Sequence, residues 1–372
     1  MTTRLSIAAT ALKPSYDAVV VGSGYGGGVA ACRLARMGLS VAVLERGREF
    51  LPGDFPATAI AAGRDVQVRG GAADFGSDTA LFDVRLGKDI HVLMGCGLGG
   101  TSLINANVCL MPDPRLFDDP VWPSEIRTDR MLAEGYIRAR HMLRPVADPA
   151  TRTFEKVKAL TTAAAGIGST VAPVPLHVSF VDANNAAGLR QPACVRCGDC
   201  CGGCNVGAKT TVANTYLADA KAFGAELFTE ARVRSVVREA DGRWRIEMKR
   251  PAGSRAGWAE ASVVAGIVVL AAGTLGTTEI LQRSRIRGLA LSDRLGTGVT
   301  SNGDAIAIAY NNDTPVNGIG VGYPPRADTG TVGAAVNGLV DLRPGRPLEE
   351  GLAIVDCALP SAMATMLPSM LV

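Results

Sequence analysis

Three groups of residues in this sequence have types and spacings that can do chemistry: a set of glycines, an acid placed behind them, and a knot of cysteines. Gly22, Gly24 and Gly27 stand in the pattern G-x-G-x-x-G inside YDAVVVGSGYGGGVAACRLARMGLSVAVLERG, residues 16–47. Gly22 permits a tight turn out of a strand, and Gly24, lacking a side chain, lets a pyrophosphate approach the backbone. Gly27 lets helix and sheet pack closely. The first-turn N–H groups and the helix dipole then hold the anion. Glu45 lies 21 residues beyond Gly24, where an acid accepts hydrogen bonds from ribose hydroxyls. The motif points to a dinucleotide and leaves NAD and FAD open; a glycine-rich turn in an ordinary α/β domain is the plainer alternative.

The cysteines offer a second chemistry. Cys194, Cys197, Cys200 and Cys204 follow C-x2-C-x2-C-x3-C, with Cys201 extra. That is the spacing of a ferredoxin-type iron–sulfur run, in which glycines let the loop wrap a cluster. The proline that usually follows is missing, and no second run exists to supply a partner cluster. Four thiolates so close together also suit a closed zinc site, and a third reading is a tight loop of reduced or locally disulfide-bonded cysteines. With a cluster present, electrons leave by wire, as in a dehydrogenase rather than an oxidase. A further glycine group, Gly95, Gly97, Gly99 and Gly100, precedes Ser102 and Asn105. Backbone open to close approach, followed by small hydrogen-bonding side chains, suits a flat or phosphorylated cofactor, or else a surface loop.

The elements that must position these residues are legible in the periodicity. Residues 17–22 and 40–44 form valine-rich strands around a helix with apolar positions at Val29, Cys32, Leu34 and Ala35. Helices are predicted over 124–143, 153–165 and 214–223, and strands over 173–180 (carrying His177), 226–229, 233–239 and 243–248. Asp241-Gly242 joins the last two as a hairpin. Residues 262–270 form a buried strand that turns at Gly273 into a helix over 275–282, repeating the strand–turn–helix grammar of the opening. From Asn302 the period becomes two, with Ala305, Ala307 and Ala309 alternating with Ile306, Ile308 and Tyr310, which predicts a half-buried antiparallel strand.

A chain of 372 residues with 47% hydrophobic and 20% charged residues suits two globular domains. A net charge of +3, without a Lys/Arg run, excludes a nucleic-acid partner. The longest apolar stretch, 263–276, is too short to span a bilayer, so no transmembrane segment is expected. Residues 1–15 read as a frayed leader, and the cysteine usage points to cofactor chemistry in a cytoplasmic protein.

Three separated pieces then converge. GSGYGGGVAACRLARMGLSVAVLERG, GCGLGGTSLINANV and VVLAAGTLGTTEILQRS together resemble the FAD domain of glucose–methanol–choline oxidoreductases. The spacing and GAKTTVANTYLADA after the cysteines resemble their cholesterol-oxidase-like branch. The resemblance runs from about Tyr16 and thins after Gly322. It implies an α/β fold: a Rossmann-like FAD-binding domain over 16–110 and 205–300, with a discontinuous α+β substrate domain over 111–204 and 301–372 built on an antiparallel sheet. By residue, it implies that Gly22, Gly24 and Gly27 hold the FAD pyrophosphate, with Tyr25 and Gly26 on the same turn, and that Glu45 binds the adenosine ribose. Gly99, Gly100, Ser102 and Asn105 sit beside the riboflavin portion, Val233 offers its backbone to the adenine, and Ala272 and Gly273 close the site. The implied activity is removal of hydride from the CH–OH group of an alcohol, such as a sterol or another bulky hydrophobic alcohol, with oxygen or an electron-acceptor protein as oxidant.

The departures from that family are equally specific. Its closing segment carries a His and an Asn or second His over the flavin, and nothing here matches it; no histidine follows His177. The chain therefore reads as a fragment or a truncated product. Asp356, in AIVDCALP, is the candidate base, as a buried carboxylate of raised pKa; a solvated aspartate is the alternative. Two other functions stay open: a flavin-binding fragment without its own catalysis, and an NAD-linked Rossmann dehydrogenase.

Overall fold

A computed structural model describes residues 4–70, 74–128, 130–252, 257–309, 313–325 and 330–366. The chain divides into two compact units, the first comprising Met1–Leu51, Gly63–Leu103 and Val212–Ile308. The second comprises Pro52–Ala62, Ile104–Thr211 and Ala309–Val372. Against the expected division, the segment Pro52–Ala62 goes to the second unit and the N-terminal residues to the first.

The first unit is built on a seven-stranded sheet. Its centre is the strand β2 (Ser15–Val21), followed by helix α1 (Tyr25–Arg36) and strand β3 (Val41–Leu44). β2 and β3 pair in parallel, and β2 also pairs in parallel with Trp258–Leu270. Both faces of this centre are covered, which is why the sequence here is a run of valines rather than an alternation. Val19, Val20, Val41 and Val43 are all buried. On one side the sheet continues through Glu226–Thr229; on the other, Trp258–Leu270, Trp244–Pro251 and Arg232–Arg238 form an antiparallel meander. Helix Gly273–Ile286 packs on Arg232–Arg238, its buried Ser284 accepting the Val236 N–H at 2.9 Å.

Residues 4–9 are held against the first unit rather than frayed. β1 (Ile7–Ala8) adds in parallel to Glu226–Thr229 as the outermost strand, and Ala9 enters the core. The Leu5 and Ser6 amides and the Ser6 hydroxyl all donate to the buried Glu49 carboxylate, at 2.7, 3.0 and 2.7 Å. A second, small sheet of Val66–Arg69, Phe82–Leu86 and His91–Gly95 leads directly into the second glycine group.

The second unit has little regular structure. A three-stranded antiparallel sheet orders Ala353–Val355, Gly338–Asp341 and Ala172–Pro173, with helix Glu155–Gly166 packed on Gly338–Asp341; helix Met131–Leu143 also belongs to this unit. Three expectations change here. Residues 305–309 belong to no strand and lie exposed and irregular; Tyr310 is outside the described residues. The helix predicted over 124–143 is divided into Glu125–Thr128 and Met131–Leu143, because Arg130 adopts a left-handed φ of 54°. The stretch around His177 is extended but pairs only through isolated bridges, Leu176 with Val108 and Val146, and Val178 with Lys209.

Candidate functional site

In the first unit three parallel strands deliver their carboxyl ends to one cavity of ≈ 300 Å³, the place where open α/β sheets take their ligands. β2 contributes Val21 and Gly22, β3 contributes Leu44 and the Glu45–Arg46 pair after it, and Trp258–Leu270 runs into Ala271, Ala272 and Gly273. Gly24, Tyr25 and Gly26 open α1 on the same wall, and Gly100 and Val233 complete it.

The glycines divide by what surrounds them. A Cβ at Gly24 or at Gly273 would meet nothing within 4 Å, so at both places the cavity wall is bare backbone. A Cβ at Gly27 would stand 1.9 Å from the Gly22 carbonyl oxygen; this glycine serves the close crossing of α1 over β2 rather than the cavity. Gly22 combines φ +95° with backbone of Ala271 and Ala272 inside 3 Å of any Cβ, a turn open only to glycine. This is a cradle shaped by missing side chains, and a pyrophosphate fits the N-terminus of a twelve-residue helix that begins at Tyr25.

Glu45 is buried and tightly held. Its Oε1 accepts the Gly47 N–H at 2.8 Å, and its Oε2 accepts the Ser23 N–H at 3.2 Å and the Ser23 hydroxyl at 2.6 Å. A lone pair remains on Oε1 for a ribose hydroxyl, while Ser23 occupies both of those on Oε2. Arg46, also on the wall, has three of its five donors engaged: it donates to Gln67 Oε1 at 2.9 Å, to the Asp78 carbonyl at 2.7 Å and to Asp83 Oδ2 at 2.6 Å. Arg232 pairs with Asp78, and Arg85 and Arg283 both reach Glu279. Burial pushes the Cys96 thiol up to about 12, so it faces this space uncharged.

Three expected contributors lie elsewhere. Gly99 sits behind the wall, with Ala213 against the position of a Cβ. Ser102 is fully buried, donating to the Gly99 carbonyl at 2.6 Å and accepting the Val212 N–H at 3.0 Å; it braces the second glycine loop from behind. Asn105 belongs to the second unit, where its carbonyl accepts from Lys209 Nζ at 2.7 Å. Ser23, Arg46, Thr101, Gly276 and Arg283 line the cavity without having been anticipated. All five carried a sequence signal, by adjacency to the motif glycines and the acid or by lying within a quoted motif.

In the second unit Asp356 has structural partners. Its Oδ1 accepts the Asn337 and Gly338 amides at 3.0 and 2.5 Å, and its Oδ2 lies 2.6 Å from Lys156 Nζ, with both side chains almost wholly buried. Lys156 also donates to the Ala334 and Ala335 carbonyls at 2.7 and 3.0 Å. A carboxylate held by an ammonium and two amides pins the strand Gly338–Asp341 to helix Glu155–Gly166. This pinning corrects the expectation of a poised base.

The iron–sulfur and zinc expectations find no support in the geometry. Cys194, Cys197, Cys200 and Cys204 border a void of ≈ 20 Å³, room for about one water and none for a cluster. Among the described residues no three His, Cys, Asp or Glu are grouped so as to hold a metal ion. Burial pushes Cys197 and Cys201 up to about 12 and raises Cys194 and Cys200. The thiols pack with Val178, Ala208, Ala335 and Val336, as small hydrophobes in the core of a unit poor in strands and helices. Lys209, buried beneath them, donates to the Cys200 carbonyl at 3.1 Å and so ties this loop to Asn105.

No helix among the described residues is long and apolar enough to cross a membrane. The chain is 32% identical over 310 residues to a cholesterol oxidase of Mycobacterium tuberculosis, covering 79% of this chain and 53% of that one. It is 30% identical over 318 residues to a cholesterol oxidase of Acinetobacter baumannii, covering 78% and 55%. It thus spans about half the length of these relatives. Pyridoxine 4-oxidase from Mesorbium loti superposes with a TM-score of 0.45 at 20% identity, over 72% of this chain and 51% of that one. The pattern of the GMC oxidoreductase family matches residues 16–297, the span that contains every wall of the cavity, and the chain belongs to that family.

Proposed function

We propose that this protein is an FAD-dependent oxidoreductase acting on the CH–OH group of a bulky hydrophobic alcohol, a sterol being the first candidate. The observation that carries the reading is the bare backbone at Gly24 and Gly273 flanking Glu45, at the carboxyl ends of three parallel strands. FAD, when bound, supplies the hydride acceptor. The chain's own part is to bind and orient. The N–H groups opening α1 take the pyrophosphate, Glu45 takes the ribose, and the Val233 backbone faces the adenine. Arg46, with three donors held by Gln67, Asp78 and Asp83, is engaged within the protein rather than set out for a ribose phosphate, which favours FAD over a phosphorylated nicotinamide cofactor. The names of the two bacterial relatives support a sterol alcohol. Nine cysteines standing as free thiols support a reducing, cytoplasmic setting.

The test is an anaerobic titration of FAD-loaded protein with cholesterol and with a long-chain primary alcohol, watched at the visible flavin band. Retention of flavin through gel filtration and bleaching by at least one alcohol is expected. Retained flavin that no alcohol bleaches would leave a binding protein without this chemistry. Absence of flavin together with NADH turnover would overturn the reading in favour of a nicotinamide enzyme.

A further inference from the structure

We infer that Ser23 is a positioning residue that couples the adenosine end of the cradle to the second glycine loop, an inference that rests on the FAD reading above. Ser23 is fully buried between the first two motif glycines. A hydroxyl has one proton to give and two lone pairs, and the partners of Ser23 use both functions. The proton goes to Glu45 Oε2 at 2.6 Å, and the oxygen accepts the Gly99 N–H at 3.0 Å. The Ser23 backbone N–H adds a second bond to the same carboxylate oxygen, at 3.2 Å. One side chain thus fixes the orientation of the ribose-binding acid and the position of a loop far along the chain.

The two loops also touch at this joint. A Cβ on Gly100 would come within 2.8 Å of the Gly24 Cα, and both glycines line the cavity. Ser102 braces the loop from the other side, through the Gly99 carbonyl and the Val212 amide. With the Ser23 hydroxyl gone, the Gly99 N–H loses its acceptor in a buried place, and Glu45 loses the shortest of its three bonds, keeping only the two backbone amides. Both losses fall on the cofactor rather than on the packing of the sheet, since alanine fills nearly the same volume.

The test is a double-mutant cycle read by equilibrium binding to cofactor-free protein. FAD and ADP, the latter reporting the adenosine end alone, are titrated into the native chain, S23A, E45Q and S23A/E45Q. S23A is expected to weaken both ligands by about tenfold or more, the loss of a hydrogen bond to a charged group. It is expected to cost little further in the E45Q background. Fully additive effects, or native affinity in S23A, would overturn the coupling. Failure of the native chain to bind FAD at all would instead remove the functional reading beneath it. Should S23A not fold, amide exchange in the native chain decides the matter: FAD is expected to slow exchange at Gly99, and an unchanged rate there overturns the proposal.

Discussion

At the scale of single residues, Gly24 and Gly27 share one turn yet would respond oppositely to an added methyl group. At Gly24 the methyl enters open cavity, so Gly24→Ala is expected to leave the melting temperature of the cofactor-free protein nearly unchanged while weakening FAD binding by about tenfold or more. At Gly27 it strikes a carbonyl, so Gly27→Ala is expected to cost roughly 3 kcal/mol or more, or to abolish folding. Melting of both variants with and without FAD checks the pair. Asp356→Ala leaves the Lys156 ammonium buried and unpaired, with an expected loss of about 3–5 kcal/mol in a denaturant titration. The motif glycines and Glu45 were legible because their duties are discharged within one local β–α–β segment. Asp356 was not, since its meaning depends on Lys156, a partner no spacing rule connects to it.

Elements were legible wherever their period was enforced by burial on known faces. β2, α1 and β3 emerge from the valine runs and the glycine break. The alternation at 305–309 misled because a period of two states only that a strand could form, whereas pairing depends on a neighbouring strand that the pattern does not encode. The helix expected over 124–143 failed at Arg130 through one dihedral angle that the charge pattern does not encode. The segment carrying His177 shows what an irregular element can still impose. It drives the imidazole into the interior, where neither ring nitrogen has a hydrogen-bond partner, and burial, seconded by Lys209, lowers its pKa to about 4. The unfolded chain, near its ordinary value of about 6.5, binds the proton first. Stability is therefore expected to be flat above about pH 6.5 and to fall as the pH drops from there toward about 4, by up to about 3 kcal/mol. Denaturant midpoints at neutral pH and near pH 4 measure the loss, and His177→Gln is expected to flatten it.

For the molecule as a whole, length and composition announced two cores, and the structure shows two units of quite different construction. One is held by a sheet. The other is held by packed thiols, buried ion pairs and isolated bridges. The cysteine spacing suggested a cluster because spacing records which ligands are near in sequence. Whether they enclose a metal or pack against valines is decided by the surrounding chain, here Val178, Ala208 and Ala335. Iron and acid-labile sulfide in anaerobically purified protein are accordingly expected at background; stoichiometric amounts of both would reverse that assignment.

The strand β1 has one more consequence, for the solution behaviour of the chain. Without it, Glu226–Thr229 would end the sheet with a row of unsatisfied amides and carbonyls beside Leu227 and Phe228, an open template for another chain. Two residues suffice as a guard because the Glu49 carboxylate and Lys221, which donates to the Arg4 and Leu5 carbonyls, clamp the segment in place. A variant lacking residues 1–13 is therefore expected to retain its cofactor cradle yet self-associate through this exposed strand. Light scattering would show that growth, and adding Lys at Phe228 in the shortened chain would tell little, because that side chain faces the core. Charge placed at Thr229, whose side chain is only partly covered, is where resistance to aggregation should be engineered.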